Sequence, residues 1–147
     1  MKFYIREAAN ADIPALCSLE RECFSSPWNE RAFSESMQSG NALFLLCEGE
    51  GGEVLGYIGG IFLLDECTVT DVCTAEHARR QGIGEALLKQ LEAECRARGA
   101  AHIFLEVRES NAAAIRLYER LGYERLGVRA GAYSKPRENA YSYGKTV

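Results

Sequence analysis

No stretch of this 147-residue sequence is apolar over the roughly 18 residues that a membrane-spanning helix needs. The opening Met1-Lys2-Phe3-Tyr4-Ile5-Arg6 has no long apolar segment behind a basic one, so it does not read as a secretory signal peptide. Basic charge is short too: 17 Lys and Arg stand against 21 Asp and Glu, for a net charge of −4 and a pI near 5.3. That excludes the basic surface on which nonspecific nucleic-acid binding draws. The six cysteines, at positions 17, 23, 47, 67, 73 and 95, include no C-x-x-C pair and none beside a histidine, so no metal site is expected. Most fall at apolar positions of helical or strand-like segments, as small buried hydrophobes, which points to a reducing compartment. These absences describe a cytoplasmic protein with neither a nucleic-acid nor a membrane partner.

What is present is an ordinary globular composition, 47% hydrophobic and 26% charged, in a chain long enough for one core and too short for two. Residues 1–147 read as a single domain. Phe3–Arg6 is a short apolar first strand. Asn10 is placed to cap a helix running to about Phe24, with Pro14 tolerated in its first turn. Ser25–Asn29 breaks the chain before a short helix over Asn29–Gln38. Strands follow at Ala42–Cys47, Val54–Leu64 and Cys67–Thr74, separated by the glycine-rich turn Gly49–Gly52 and a tight Asp65-Glu66 link. Ile83, Leu87, Leu91 and Cys95 recur every fourth residue and mark Gly82–Arg98 as the clearest helix, with Gly99 as its stop. His102–Val107 is a buried-type strand, and Asn111 caps a helix through Arg120. Two strands flank a loop over Gly131–Pro136 in the tail. Hairpin-like strands first, then strands alternating with helices, imply a mixed sheet with helices on both faces, in the α/β (α+β) class.

Arg79-Arg80-Gln81-Gly82-Ile83-Gly84 stands between a strand and the start of the strongest helix. Glycines there let backbone N–H groups approach a ligand, and exposed amides with the helix dipole favour an anion such as phosphate. Glycines that only let the helix pack tightly would leave the same trace. The loop lacks the Gly-Lys-Ser/Thr of a Walker loop, and Leu87 stands where a dinucleotide fingerprint needs its third glycine.

Arg79-x-x-Gly82-x-Gly84 resembles the acyl-CoA pyrophosphate loop of the GCN5-related N-acetyltransferases (GNAT), and the order of elements resembles theirs. The segments Phe24-Ser-Ser-Pro27-Trp28, Leu105-Glu106-Val107-Arg108, Ser110–Ile115 and Leu117–Tyr123 are similar to the RimI group, ribosomal-protein-alanine N-acetyltransferases, over nearly all of residues 3–143. This resemblance implies a splayed mixed sheet of six or seven strands with about four helices, and acetyl transfer from acetyl-CoA to an amine. It implies that backbone groups of Val72, Cys73 and Thr74 pair with the pantetheine arm. Arg80, Gln81, Gly82, Ile83, Gly84 and Glu85 would hold the pyrophosphate, and Asn111 would touch the coenzyme near its thiol. Tyr118 would protonate the leaving sulfur, and Glu106 would be the general base, through a water. The implied acceptor is the N-terminal alanine of the small-subunit ribosomal protein numbered eighteen. A lysine side chain or a small amine is the rival acceptor, and a noncatalytic coenzyme-binding module is the rival of another kind.

Elementary chemistry agrees with the two catalytic roles. Attack on a thioester needs a neutral amine, and an α-amine of pKa about 8 is neutral near pH 7 far more often than a lysine near 10.4. A modest carboxylate base then suffices. A leaving thiolate near 8.5 would take a proton from a tyrosine near 10 at about 2 kcal/mol uphill in the reference state. Each residue also has a plainer reading: Glu106 as an ion-pair partner of Arg108 or a helix, Tyr118 as a core tyrosine beside Ala114 and Leu121, Asn111 as an N-cap, Trp28 as a packing anchor. Direct transfer needs no acyl intermediate on Cys73. The sequence departs from the RimI pattern at Asp71-Val72-Cys73-Thr74, where the group has an Asn-Ile-Ala-Val type of run. It departs again at Ala132-Tyr133 and Tyr141-Ser142-Tyr143, near the peptide-accepting side.

Overall fold

The computed structural model describes residues 2–147. Seven strands make one sheet: β1 (Phe3–Glu7), β2 (Ala42–Gly49), β3 (Val54–Leu63), β4 (Glu66–Thr74), β5 (His102–Arg108), β6 (Glu124–Tyr133) and β7 (Glu138–Thr146). Their spatial order is β1-β2-β3-β4-β5-β7-β6, and every neighbouring pair is antiparallel except β4 with β5. Four helices pack with it: α1 (Ile13–Cys23), α2 (Glu30–Gln38), α3 (Ile83–Ala97) and α4 (Ala112–Arg120). The mixed α/β (α+β) sheet and the four helices agree with the sequence reading. Among the described residues, no helix is long and apolar enough to cross a membrane.

The core follows the apolar pattern. Leu43 to Cys47 are buried without interruption, as befits a central strand covered on both faces. On α3, the residues Ile83, Leu87, Leu88, Leu91 and Cys95 are all buried, and Gly99 ends the helix at φ +79°. Trp28, Phe33, Phe44 and Tyr57 form an aromatic cluster with ring centroids 5.2 to 6.4 Å apart. Such tilted and edge-on pairs add about 0.5–1.5 kcal/mol each beyond their burial. The glycines of β3 make room for their neighbours: a Cβ on Gly59 would come within 2.7 Å of the Phe44 ring.

Two local expectations are corrected. Asn10 caps nothing; it begins a short 3₁₀ turn, Asn10–Asp12, and α1 starts only at Ile13. Asp12 is the residue that accepts there, from the Ala9 N–H at 2.8 Å, while its carboxylate also holds Arg6. Near the end of the chain, β6 continues through Gly131 to Tyr133, so the turn is Ser134–Arg137 rather than Gly131–Pro136. Strand pairing of Tyr133 with Glu138 overrides the turn preference of Gly131.

Candidate active site

β4 and β5 share three register pairs, Glu66 with His102, Cys67 with Ile103 and Thr68 with Phe104. Beyond Thr68, β4 stays with β3 as far as Thr74, and β5 stays with β7 as far as Arg108. The sheet therefore opens between them. A cleft of about 830 Å³ lies against Val69–Val72 and Leu105–Arg108, bordered by Phe24 and Trp28 and by the turn residues Ser134–Pro136. The edges of Val72, Cys73 and Thr74 that face away from β3 have no strand in register, so an extended chain can add there. Cys73 itself is buried beside Cys23.

The second half of the site is the start of α3. The backbone turns through positive φ at Arg80 (66°) and Gly82 (79°) to enter the helix. The first bond of the helix runs from the Ala86 N–H to the Gly82 carbonyl at 3.0 Å, so the amides of Ile83, Gly84 and Glu85 precede it and lack helical acceptors. Those amides, backed by a 15-residue helix, suit a phosphate. A Cβ on Gly84 would touch only Leu117, at 3.5 Å. The Glu85 side chain is tied to Arg120 of α4, which leaves its amide as the group open to an anion. Arg80 and Gln81 are exposed on the loop.

α4 brings the next two residues. Asn111 caps it, its Oδ1 accepting from the Ala114 N–H at 3.2 Å, and also lines the cleft. Tyr118 is only 4% exposed, yet it lines the cleft too, and among the described residues no group hydrogen-bonds its hydroxyl. Burial pushes its pKa above the ordinary tyrosine value. The two readings of Tyr118 thus coincide: it packs at 6.2 Å from Tyr123 and 6.1 Å from Tyr143, and its polar end stays unengaged.

Glu106 on β5 also lines the cleft, but it has a partner. Arg129 of β6 donates to both carboxylate oxygens, at 2.6 and 2.9 Å, and these bonds hold Glu106 below the usual carboxylate range. The ion pair is with a strand two places across the sheet, not with Arg108 or a helix. Arg108 instead ties down the β6–β7 turn. It donates to the carbonyls of Ser134 and Pro136 at 3.0 and 2.9 Å, pairs with Glu138 at 3.0 Å, and lies over the Tyr133 ring at 4.5 Å. Trp28 packs on Phe33 and Phe44 while bordering the cleft, as a packing anchor should.

The match to the model of the acetyltransferase (GNAT) family covers residues 13–123, which includes β4, the loop, α3, β5 and α4. The chain belongs to the GNAT acetyltransferase family. It is 35% identical to the [ribosomal protein bS18]-alanine N-acetyltransferase of Escherichia coli strain K12, over 88% of this chain and 86% of that one. It is 30% identical to an N-alpha-acetyltransferase of Sulfurisphaera tokodaii over 95% of this chain and 90% of that one. The crystal structure of the ribosomal-protein-S18-alanine N-acetyltransferase from Escherichia coli superimposes with a TM-score of 0.90, at 32% identity, covering 99% of this chain and 94% of that chain. As a RimI-like member of the GNAT family, the protein is an acetyl-CoA-dependent N-acetyltransferase.

Three residues in or behind the cleft went unnoticed in the sequence as chemistry. Asp71 lies on the open side of β4, and Glu20 of α1 is fully buried behind it. Glu20 sits four residues after Leu16 on the apolar stripe of its helix, and a carboxylate in that stripe was the available signal. Arg108 had none, because its partners come from the distant tail.

Proposed function

We propose that this acetyltransferase modifies the N-terminal α-amine of a protein by direct attack on acetyl-CoA, with the N-terminal alanine of ribosomal protein bS18 as its favoured acceptor. The observation that carries the reading is the β4–β5 cleft, which offers Tyr118 with a free hydroxyl and Glu106 as a secured carboxylate on opposite elements of one site. The relatives named above supply the acceptor.

In this mechanism the Val72–Thr74 edge takes the pantetheine arm, Asn111 adjoins its thiol end, and the amides of Gly82 to Glu85, with Arg80 and Gln81, receive the pyrophosphate. The acceptor's extended N-terminus enters between the Trp28 side and the Tyr133–Pro136 turn. Its nitrogen forms the new bond to the acetyl carbon, and the carbon–sulfur bond breaks. Tyr118 gives its proton to the sulfur. Glu106, kept ionised by Arg129, receives a proton from the nitrogen through a water. A carboxylate that is a weak base can serve because an α-amine needs little help near its pKa of about 8.

The test is a matched pair of peptides assayed by mass spectrometry, one with a free alanine N-terminus and no lysine, one N-terminally blocked with an internal lysine. The free N-terminus should be acetylated far faster. Equal modification of the blocked peptide would transfer the assignment to lysine or small amines.

A further inference from the structure

We propose that Asp71, set against Glu20 at a bulge in β4, is the group on which the acceptor's ammonium docks and to which it gives its first proton. This deepens the reading above and rests on an amine entering the β4–β5 cleft.

The backbone places Asp71. Ile58 registers with Val72 and Gly60 with Val69, so Thr70 and Asp71 together oppose the single residue Gly59. Such a bulge re-aims side chains, and both residues line the cleft. Behind Asp71 stands Glu20, 0% exposed. One Glu20 oxygen accepts the Trp28 N–H at 2.8 Å, and the other accepts the Tyr57 hydroxyl. Asp71 lies within hydrogen-bonding reach of the same carboxylate. Donors already occupy both Glu20 oxygens, so a negative charge on Asp71 beside them is disfavoured in this buried setting, and Asp71 holds a proton at rest. Burial first, then the charge and hydrogen bond of Glu20, hold the Asp71 carboxyl well above the usual range.

The groups that bear on Asp71 are Glu20 and Cys23 from α1, Tyr57 from β3, Cys73 on its own strand, Tyr118 from α4 and Tyr133 from β6. No lysine or arginine is among them. Glu106, by contrast, already has Arg129. A second, independent observation points to a ligand here: the Tyr118 side chain, more than nine-tenths buried, lines the same cleft with no partner for its hydroxyl among the described residues. An ammonium group is what this arrangement lacks, since it donates to carboxyl and phenol oxygens alike and supplies the missing positive charge.

The proton count closes. Docking of the acceptor's ammonium displaces the proton that Asp71 holds at rest, which leaves to solvent, and the ammonium then gives one of its own protons to the Asp71 carboxylate and becomes a neutral amine. The amine attacks, forming the nitrogen–carbon bond. As the carbon–sulfur bond breaks, the sulfur takes the Tyr118 proton. The surplus proton on nitrogen passes through water to Glu106 and returns from there to Tyr118, and Asp71 keeps the proton it received, which restores its resting state. The net yield is the amide, the free thiol and one proton.

The test compares wild type with Asp71→Asn, which keeps the side chain's shape and stands where the RimI pattern has asparagine. Binding to the CoA-bound enzyme is measured for an alanyl peptide and for the same peptide with a propionyl group in place of alanyl, which removes only the amine. Wild type should prefer the alanyl peptide by roughly 10- to 100-fold, and Asp71→Asn should lose that preference and lose kcat/KM on the alanyl peptide by a similar factor. Stabilisation by acetyl-CoA should be unchanged in the variant, which shows that the fold and coenzyme site survive. An undiminished preference in Asp71→Asn overturns the proposal. If wild type instead acetylates only the blocked lysine peptide, the N-terminal reading fails, and the same comparison with lysine and norleucine peptides decides the role of Asp71.

Discussion

Replacing Tyr118 by phenylalanine should separate catalysis from folding more cleanly than any other change in the cleft. The ring is 4% exposed and packs near Tyr123 and Tyr143, contacts that phenylalanine keeps. The hydroxyl makes no hydrogen bond to the protein, so its loss orphans no donor or acceptor. Folding stability should therefore change by less than about 1 kcal/mol, in either direction. For a chain of this size that is a Tm shift of at most about 4 °C. Catalysis should respond differently. Loss of a general acid costs about 10²–10⁴-fold, or about 2.7–5.4 kcal/mol in the barrier. Burial has raised the Tyr118 pKa, so its proton moves further uphill to a thiolate than the reference value of about 2 kcal/mol. In the proposed mechanism the proton is accordingly delivered only as charge builds on sulfur, and a solvent water delivering it to a buried leaving group would be a poor substitute. The assay is rapid-quench single turnover with excess enzyme, which isolates chemistry from product release, together with acetyl-CoA binding. The expected result is a slow chemical step with unchanged coenzyme affinity and a Tm within about 4 °C of wild type. A single-turnover rate within threefold of wild type would refute the assignment.

Other consequences follow from the same geometry. Acetyl-CoA at a hundred times its dissociation constant should stabilise the fold by about 2.7 kcal/mol in thermal shift, and Gly84→Glu, which puts a carboxylate among the amides at the start of α3, should abolish the response. Arg129→Gln should free Glu106, whose carboxyl then rises toward its ordinary range. With Glu106 as the ionised base of the proposed mechanism, the acidic limb of the kcat profile should move to higher pH in that variant, and a limb that stays in place would remove Glu106 from the mechanism. The stability linked to this group has the same sign: a depressed pKa contributes above the unfolded value, fades as pH falls through the folded one, and should disappear in Arg129→Gln. Away from the site, Lys145 donates to both oxygens of the buried Glu92 at 3.2 Å, and Tyr123 donates to it at 2.8 Å. Lys145→Met should leave that carboxylate with Arg96, at 3.6 Å, as its cation and cost about 1–3 kcal/mol in urea unfolding, with acetyl-CoA binding intact in the folded protein.

The sequence by itself determined the elements and most of their ends. Every fourth residue apolar from Ile83 to Cys95 is a local pattern, and burying that stripe is the only way the segment can be stable. The caps at Asn111 and Gly99 were legible for the same reason, since each acts on residues three or four positions away. Asn10 shows where that reasoning stops. Its helix gave way to a 3₁₀ turn because Asp12 was already engaged by Arg6 and Ala9, a contact made with the first strand. The phosphate-type loop was readable as glycines before a helix, and the RimI resemblance reached Glu106, Asn111 and Tyr118. The state of those groups was not readable. The cleft exists because β4 and β5 part after Thr68, each following a different neighbour, and strand pairing is a property of the whole sheet. Whether Glu106 is free or held depends on Arg129 two strands away, and whether Asp71 carries a proton depends on Glu20 behind it. Charge interactions depend on distance and burial, and only the tertiary structure decides which carboxylate meets a cation and which meets another carboxylate.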